Sequence, residues 1–399
     1  MHKHVELKSP KPFEASLRLK SVLSAMIFVG LLAFIVCLMT DASRAWQAYL
    51  TSLFYFVSLA AVGLFYVAIQ FLTKAGWSVL VRRVFESFTA YLPLGAMLTF
   101  VFALFGGSTL YTWFNPEYVL QDPLLLHKQA YLNPTFFGIR LVIFFGGWIL
   151  FQKLIVGSSV LQDKNGDKSL VESIVPKCVA YIVFFALSYS LFSVDLIMAL
   201  EPHWFSTIFG VYLFGGTSQA FFALAILITI YLIRGGYYNG LVNENHVHDM
   251  AKFMLGFTVF WAYISFSQFM LIWYANLPEE TIFFKHRMEG GWAIASVLLV
   301  MFKFVIPFLA LLPRWTKRDF NFLSVICVMI LITQFFDIHW LIYPNFNDQE
   351  VLFSLWEVAI FAGFAGTFGI VVTRFLSQNS LVPMHDVFLQ ESADHQVHY

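Results

Sequence analysis

The sequence predicts an all-α integral membrane protein of about ten transmembrane helices. They are arranged as a parallel pair of four-helix bundles (helices 2–5 and 6–9) plus two peripheral helices. Three observations carry that expectation. Of the 399 residues, 59% are hydrophobic and only 12% are charged, against roughly 25% charged in a soluble domain. The apolar residues gather in runs of about twenty, the length a helix needs to cross the hydrocarbon core. One pattern also occurs twice, with its acids 142 residues apart: Leu191-Phe192-Ser193-Val194-Asp195 leading to Pro202 and His203-Trp204-Phe205, and Gln334-Phe335-Phe336-Asp337 leading to Pro344 and Asn345-Phe346. In each copy an acid stands near the end of an apolar helix and a proline follows seven residues later.

Residues 1–20 form a polar tail, residues 21–376 a single transmembrane domain, and residues 377–399 a second tail. The first apolar run lasts about twenty residues, longer than the roughly 7–15 of a signal-peptide core, and reads as a retained helix. The ten segments fall at about 21–40, 48–72, 85–106, 135–157, 176–200, 206–234, 251–275, 289–312, 321–343 and 352–376. Arg82, Arg83 and Glu86 open the third, and the stretch from Gly76-Trp77 to Arg83 reads as an interfacial turn before it.

Orientation follows from the excess of Lys and Arg in cytoplasmic loops. With the N-terminus inside, 18 of the 24 Lys and Arg residues lie on the inner side and four (Arg44, Lys128, Lys285, Arg287) on the outer side, while Arg140 and Lys303 fall within helices. Both termini are then cytoplasmic, in keeping with an even number of helices. The largest outer loop runs from about Gly107 to Pro134 and carries Trp113, Pro116, Asp122 and Pro123. No loop is large enough for a soluble domain. The fifth and ninth helices run in the same direction, so a four-helix offset gives a parallel repeat, and internal repeats in membrane bundles commonly place their sites at the repeat interface.

Ionisable groups inside the membrane are costly and each is a functional hypothesis. Arg140 opens helix 4; Asp195 lies late in helix 5, with Glu201 and His203 just beyond; Asp337 and His339 lie late in helix 9; Glu357 lies early in helix 10; Lys303 alone sits near the bilayer centre. Arg140 with Asp195, and Lys303 with Asp337 or Glu357, are the candidate pairs. A chain from Glu86 through Lys303 to Asp337, His339, Glu357, Asp195 and Glu201 is a candidate proton path, since carboxylates, His, Lys, Tyr and water pass protons over hydrogen-bond distances. Arg140, His203 and His339 are candidate quinol or pairing contacts. The opposing reading is that each polar group only ties one helix to another.

Other chemistry is disfavoured. Zero net charge argues against nucleic acid as a partner. Cys37, Cys178 and Cys327 are far apart and form no metal or haem-attachment motif. Transmembrane b-type haem takes paired histidines at two depths, and only His339 and His203 approach the membrane. No metal or redox cofactor is therefore expected in this chain, and quinol is left open as a ligand.

Two runs carry a resemblance: Asp195-Leu196-Ile197-Met198-Ala199-Leu200-Glu201-Pro202-His203-Trp204-Phe205-Ser206-Thr207, and Phe269-Met270-Leu271-Ile272-Trp273-Tyr274-Ala275-Asn276-Leu277-Pro278-Glu279-Glu280-Thr281. With the duplication and the outer polar clusters, the chain resembles the NrfD-like, or polysulfide-reductase-type, membrane subunits. Among these it is most similar to the smaller such subunit of alternative complex III, a bacterial quinol:cytochrome c oxidoreductase. The resemblance implies partners: a larger paralogous NrfD-like subunit, an outer iron–sulfur protein and c-type cytochrome subunits, with haem c and iron–sulfur clusters held there. It implies for this chain a proton path or a structural role. Three alternatives stand beside it: a pure membrane anchor of that complex, a quinol-binding subunit, and a stand-alone ion or solute transporter.

Overall fold

The structure is a computed structural model that describes residues 9–167 and 169–396, with the side chain of Val171 excepted. Lys3, Lys8 and Lys168 of the basic count, and His2, His4 and His398, lie outside the described residues. The chain is 81% helical, and the described residues include no strand. That is the outcome lipid imposes, because a helix satisfies its own backbone hydrogen bonds where no water can.

Among the described residues ten helices are long and apolar enough to span a membrane, so this is a multi-pass membrane protein. They are α1 (Leu17–Thr40), α2 (Ala42–Leu72), α3 (Arg82–Leu110), α4 (Pro134–Asn165), α5 (Glu172–Leu200), α6 (Phe209–Arg234), α7 (Glu244–Ala275), α8 (Gly290–Leu311), α9 (Phe320–Asn345) and α10 (Leu355–Gln378). Every segment expected from hydropathy is present, and several run further than their apolar stretch. Side-chain caps set those ends by accepting from the first free backbone N–H groups. Asp41 accepts from the Arg44 amide at 3.0 Å and starts α2 directly after α1. Asn133 caps α4. Asn243 with His246, and Ser354 with Glu357, form reciprocal capping boxes on α7 and α10.

The packing order makes the duplication visible. α2 packs on α3 and α5, and α4 packs on α3 and α5, closing one bundle. α6 packs on α7 and α9, and α8 packs on α7 and α9, closing the other in the same order. The bundles meet where α2 touches α6, with α5 against α6 on one side and α9 against α2 on the other, so the contacts obey a pseudo-twofold relation. α2 and α6 are accordingly the most enclosed spans, 89% and 72% buried, whereas peripheral α1 is 17% buried. α1 lies on α10, and α10 lies on α2 and α3.

Two features outside the membrane differ from expectation. The region expected as a loop after residue 107 contains short helices at Pro116–Gln121 and Pro123–Lys128, and another helix, Pro278–Met288, precedes α8. Proline at the first helical position starts each, and none is long enough to register as a span. On the opposite, basic face, the tail after α10 folds back across the bundle. Ser392 donates to the Trp77 carbonyl at 2.9 Å, His246 Nε2 meets the Ser392 carbonyl at 2.9 Å, and Arg82 pairs with Asp386 at 2.5 Å. Gly76–Ser78 forms the turn before α3 that the sequence suggested.

α1 and α10 touch backbone to backbone. A Cβ on Gly30 would stand 2.4 Å from Gly363 Cα, and one on Gly363 would stand 2.9 Å from Gly30 Cα. Gly30→Val is therefore expected to separate the two helices, at a cost of about 1–3 kcal/mol from overpacking. Gly157→Ala, which would meet nothing within 4 Å, is the control. Thermal melting of the detergent-solubilised protein should drop for the first and not for the second; equal curves would refute the close crossing.

Candidate functional site

Both repeated acids are fully buried, and each is held by a cation from the preceding helix and by a tyrosine hydroxyl. In the first bundle, Arg140 on α4 reaches Asp195 on α5 through Nε at 2.7 Å and Nη2 at 3.0 Å. Tyr131 donates its hydroxyl to Asp195 Oδ1 at 2.9 Å, and its carbonyl accepts from Arg140 Nη1 at 2.9 Å. The guanidinium also lies 3.9 Å from the centre of the Tyr131 ring and 4.6 Å from that of Phe136. The bidentate fork and the ring contacts leave this pair closed on all sides.

In the second bundle, Lys303 on α8 meets Asp337 on α9 at 2.5 Å. Lys303 also donates to Gln334, one turn earlier on α9, and Tyr212 of α6 donates to Asp337. The sequence left Lys303 to Asp337 or Glu357; the structure pairs it with Asp337. Lys303 sits in a π-helical turn, Met301–Val305, a distortion found disproportionately at functional sites. Its own carbonyl accepts from Gln219 Nε2 at 2.9 Å, and its ammonium lies 4.9 Å from the centre of the Trp261 ring. Gly216 makes the room: a Cβ there would stand 2.9 Å from Gln334 Oε1, 3.0 Å from Lys303 Nζ and 3.2 Å from Asp337 Oδ2.

Gly216 begins a polar turn of α6 that faces the seam between the bundles. Thr217 shares a hydrogen bond of 3.2 Å with Tyr189 of α5, Ser218 faces Tyr66 of α2, and Gln219 donates to Thr258 of α7 at 2.8 Å. Gln219 Oε1 and Gln334 Nε2 are buried here without a hydrogen bond within the protein, while Ser218 lies within reach of Tyr66 and Ser58 within reach of Tyr189. Buried polar groups of this kind are ordinarily satisfied by ordered water.

The remaining candidates fall into separate groups. Glu357 takes Arg44 Nε at 2.7 Å and Nη2 at 3.1 Å, caps α10 through Ser354, and accepts from the Tyr343 hydroxyl at 3.2 Å. His339 stacks on Tyr343 with ring centres 3.7 Å apart, and its imidazole lies within reach of the Leu352 backbone. Glu201 Oε2 is likewise buried and unpartnered, within electrostatic reach of Arg287. Arg287 is fully buried, stacks 3.5 Å from the Phe283 ring centre, and donates to the carbonyls of Phe283, Trp340 and Leu341. Burial pushes it down to about 9, partly opposed by Glu201, so it stays charged at neutral pH. His203 pairs with Asp122 at 2.5 Å on the exposed surface.

Glu86 belongs to none of these. It binds Arg83 at 2.5 Å, Arg82 at 3.5 Å and the Ser159 hydroxyl at 2.7 Å, at the basic end of α3 and α4. Its hydrogen bonds lead to Asp163 and Asp386 through those arginines, away from Lys303. Among the described residues no group of three or more His, Cys, Asp or Glu is placed to hold a metal ion. Sequence reasoning missed Tyr131, Tyr212, Gly216 and Arg44, the last of which it counted only as an outer-loop charge. The Gly215-Gly216-Thr217-Ser218-Gln219 run was the available signal for the α6 site.

Removing one member of a buried pair strands the other charge, at a cost of about 3–5 kcal/mol, whereas replacing both with apolar residues is often neutral. Arg140→Met is thus expected to lower the melting temperature sharply, and Arg140→Met with Asp195→Leu to recover most of the loss. A double variant as unstable as the single would contradict this assignment.

No family model matches this sequence, and the comparison with curated proteins finds no match.

Proposed function

We propose that the chain is a cofactor-free membrane subunit of a quinol:cytochrome c oxidoreductase of the alternative complex III type, in the place of the smaller NrfD-like subunit, called ActF. It docks redox partners on the face opposite its basic face, and it conducts protons coupled to quinol oxidation there. The basic face is then cytoplasmic, in a bacterial inner membrane. Besides the sequence resemblance, the observation that supports this best is the Lys303–Asp337–Tyr212–Gln334 group, a titratable cluster inside the second bundle where α6, α8 and α9 meet, bordered by buried polar atoms without partners.

The chemistry runs through groups already in contact. Asp337 and Lys303 exchange a proton without moving far, because their heavy atoms are 2.5 Å apart. Towards the basic face, the α6 hydroxyls and Gln219 with intervening water extend the chain by short hops. Towards the opposite face, Tyr212 leads from Asp337 to the region of Arg287 and Glu201. Arg287, fixed by carbonyl groups rather than by an acid, holds positive charge there, within electrostatic reach of Glu201. Entry on the basic side lies along the bundle seam rather than at Glu86, whose two arginines hold it apart.

Tagging the chain, extracting it in mild detergent and recording the spectrum and subunit composition tests the assembly. Reduced c-type haem bands with an iron–sulfur partner are the expected result; a stable, colourless, lone chain would overturn it. Within the assembled complex, Asp337→Asn keeps the hydrogen-bonding shape and is expected to lower the proton-to-electron ratio in proteoliposomes while quinol oxidation continues. An unchanged ratio would sink the proton-path proposal and leave the anchoring role.

A further inference from the structure

A cleft of about 770 Å³ opens over α6 and α7 on the basic side of the membrane. Phe214 of α6 and Phe253, Phe257 and Phe260 of α7 line it, and Trp77, from the turn before α3, stands at its basic end. Phe253 is 44% exposed, and a Cβ on Gly256 would meet nothing within 4 Å, so the cleft is open to its surroundings. Trp77 and Phe222 both stack on the Phe253 ring, with centres 5.8 and 5.2 Å away, which gives this wall a fixed shape.

The pseudo-twofold relation gives the cleft a counterpart. In the other half, α10 lies on α2 and α3 and sets Phe361 and Phe368 against Phe56, and Phe368 against Phe88. α6 and α7 stand in the places of α2 and α3, and the cleft stands where α10 would be. The same kind of aromatic surface is thus covered by protein in one half and left to an occupant from the membrane in the other.

Depth and charge select that occupant. Phe260 lies level with Lys303, because the two flank adjacent glycines of α6. A Cβ on Gly215 would stand 3.1 Å from the Phe260 ring, and one on Gly216 would stand 3.0 Å from Lys303 Nζ. Asp249 and Lys252 line the opposite end of the cleft. From Asp249 to Phe260 the helix rises about 16 Å, half of a hydrocarbon core of roughly 30 Å. That is the depth of one leaflet, enough for acyl chains and too short for a spanning helix. At the mouth, Lys252 is 42% exposed and holds Asp249 at 2.7 Å, and Asp249 also meets His395 at 2.6 Å. Lys317, held by the carbonyls of Leu311, Leu312 and Pro313, is kept below the ordinary lysine value first by burial and then by the charge of Lys252. His248 is within electrostatic reach of both lysines. An anionic oxygen beside Lys252 relieves this crowding of positive charge, and an ammonium has three donors to share between it and Asp249.

We infer that this cleft binds one glycerophospholipid of the leaflet on the basic face, its acyl chains against Phe253, Phe257 and Phe260 and its phosphate at Lys252. The site belongs to this chain alone and does not depend on the assembly proposed above. The lipid takes the covering role that α10 has in the other half, and Trp77 lies at the level of its headgroup, where tryptophan is favoured.

The test uses the full chain, delipidated in mild detergent, and native mass spectrometry with dioleoyl phosphatidylglycerol or with dioleoylglycerol, which has the same chains and no phosphate. One phosphatidylglycerol is expected to bind, about fivefold tighter than dioleoylglycerol, the worth of one lysine near a lipid phosphate. Lys252→Gln should remove that difference. Gly256→Trp, which fills the cleft from an open position, should abolish binding of both lipids and leave melting of the lipid-free protein unchanged. A photoreactive benzoylphenylalanine at position 253 should attach to phospholipid in native membranes. Equal binding of the two lipids, or indifference to both substitutions, would overturn the inference. Attachment of position 253 to another polypeptide would do so as well, and would give the cleft to a partner's helix.

Discussion

A carboxylate placed inside a membrane must bring its own counter-charge, because hydrocarbon supplies neither water nor ions. Asp195 and Asp337 are both fully buried, and most of the architecture can be read as the means of reaching them. Each is met by a cation from the preceding helix, so α4 must turn Arg140 towards α5 and α8 must turn Lys303 towards α9. That fixes the rotation of two helix pairs. The tyrosine in each group then ties a third element to the acid: the connection before α4 through Tyr131, and central α6 through Tyr212. Apolar packing alone would tolerate other rotations of such uniformly hydrophobic helices; a stranded charge would not.

The ten helices were legible because lipid demands long apolar runs, and the two acids were legible because they interrupt those runs. Their partners were legible as far as charge goes: Arg140 and Lys303 are the two cations within helices. The choice between Asp337 and Glu357 for Lys303 was not, because Asp337 late in helix 9 and Glu357 early in helix 10 lie towards the same face and only the packing order decides. Arg44 illustrates the difficulty. It follows the end of α1 closely and reads as a loop charge, yet it lies in the first turn of α2 and is the partner of Glu357 on distant α10. The π-helical turn at Met301–Val305 leaves no trace in hydropathy, and tyrosines near helix ends are too common to single out Tyr131 and Tyr212. Glu86 was linked to Lys303 because a carboxylate and an amine in apolar segments can each pass protons; two adjacent arginines and Ser159 hold it elsewhere.

The short helices on the face opposite the tails were obscured for another reason. Their lengths are set by local caps, such as Asn115 and Asp122 ahead of proline, and not by burial of a continuous apolar stripe. Together with Arg287, which gathers the carbonyls at the end of α9, they form a structured surface above the bundle. A surface built in this way, with Glu201 and Arg287 beneath it, suits the docking of other subunits better than loose loops would.

The two halves repeat the same grouping but not the same chemistry, and the difference argues for a division of roles. Arg140 spends its donors on Asp195 and the Tyr131 carbonyl, is flanked by two rings, and carries a group that does not lose its proton in proteins. Nothing in that arrangement favours change. Lys303 is a point charge on a flexible stem, a type of group that changes protonation readily when buried. It stands in a distorted turn, packed against a glycine where a side chain would not fit, and near Gln219 and Gln334, each with a buried polar atom that lacks a partner. The first pair therefore holds its bundle in register, while the second, in the matching position of the other bundle, is the one the proposed proton path uses.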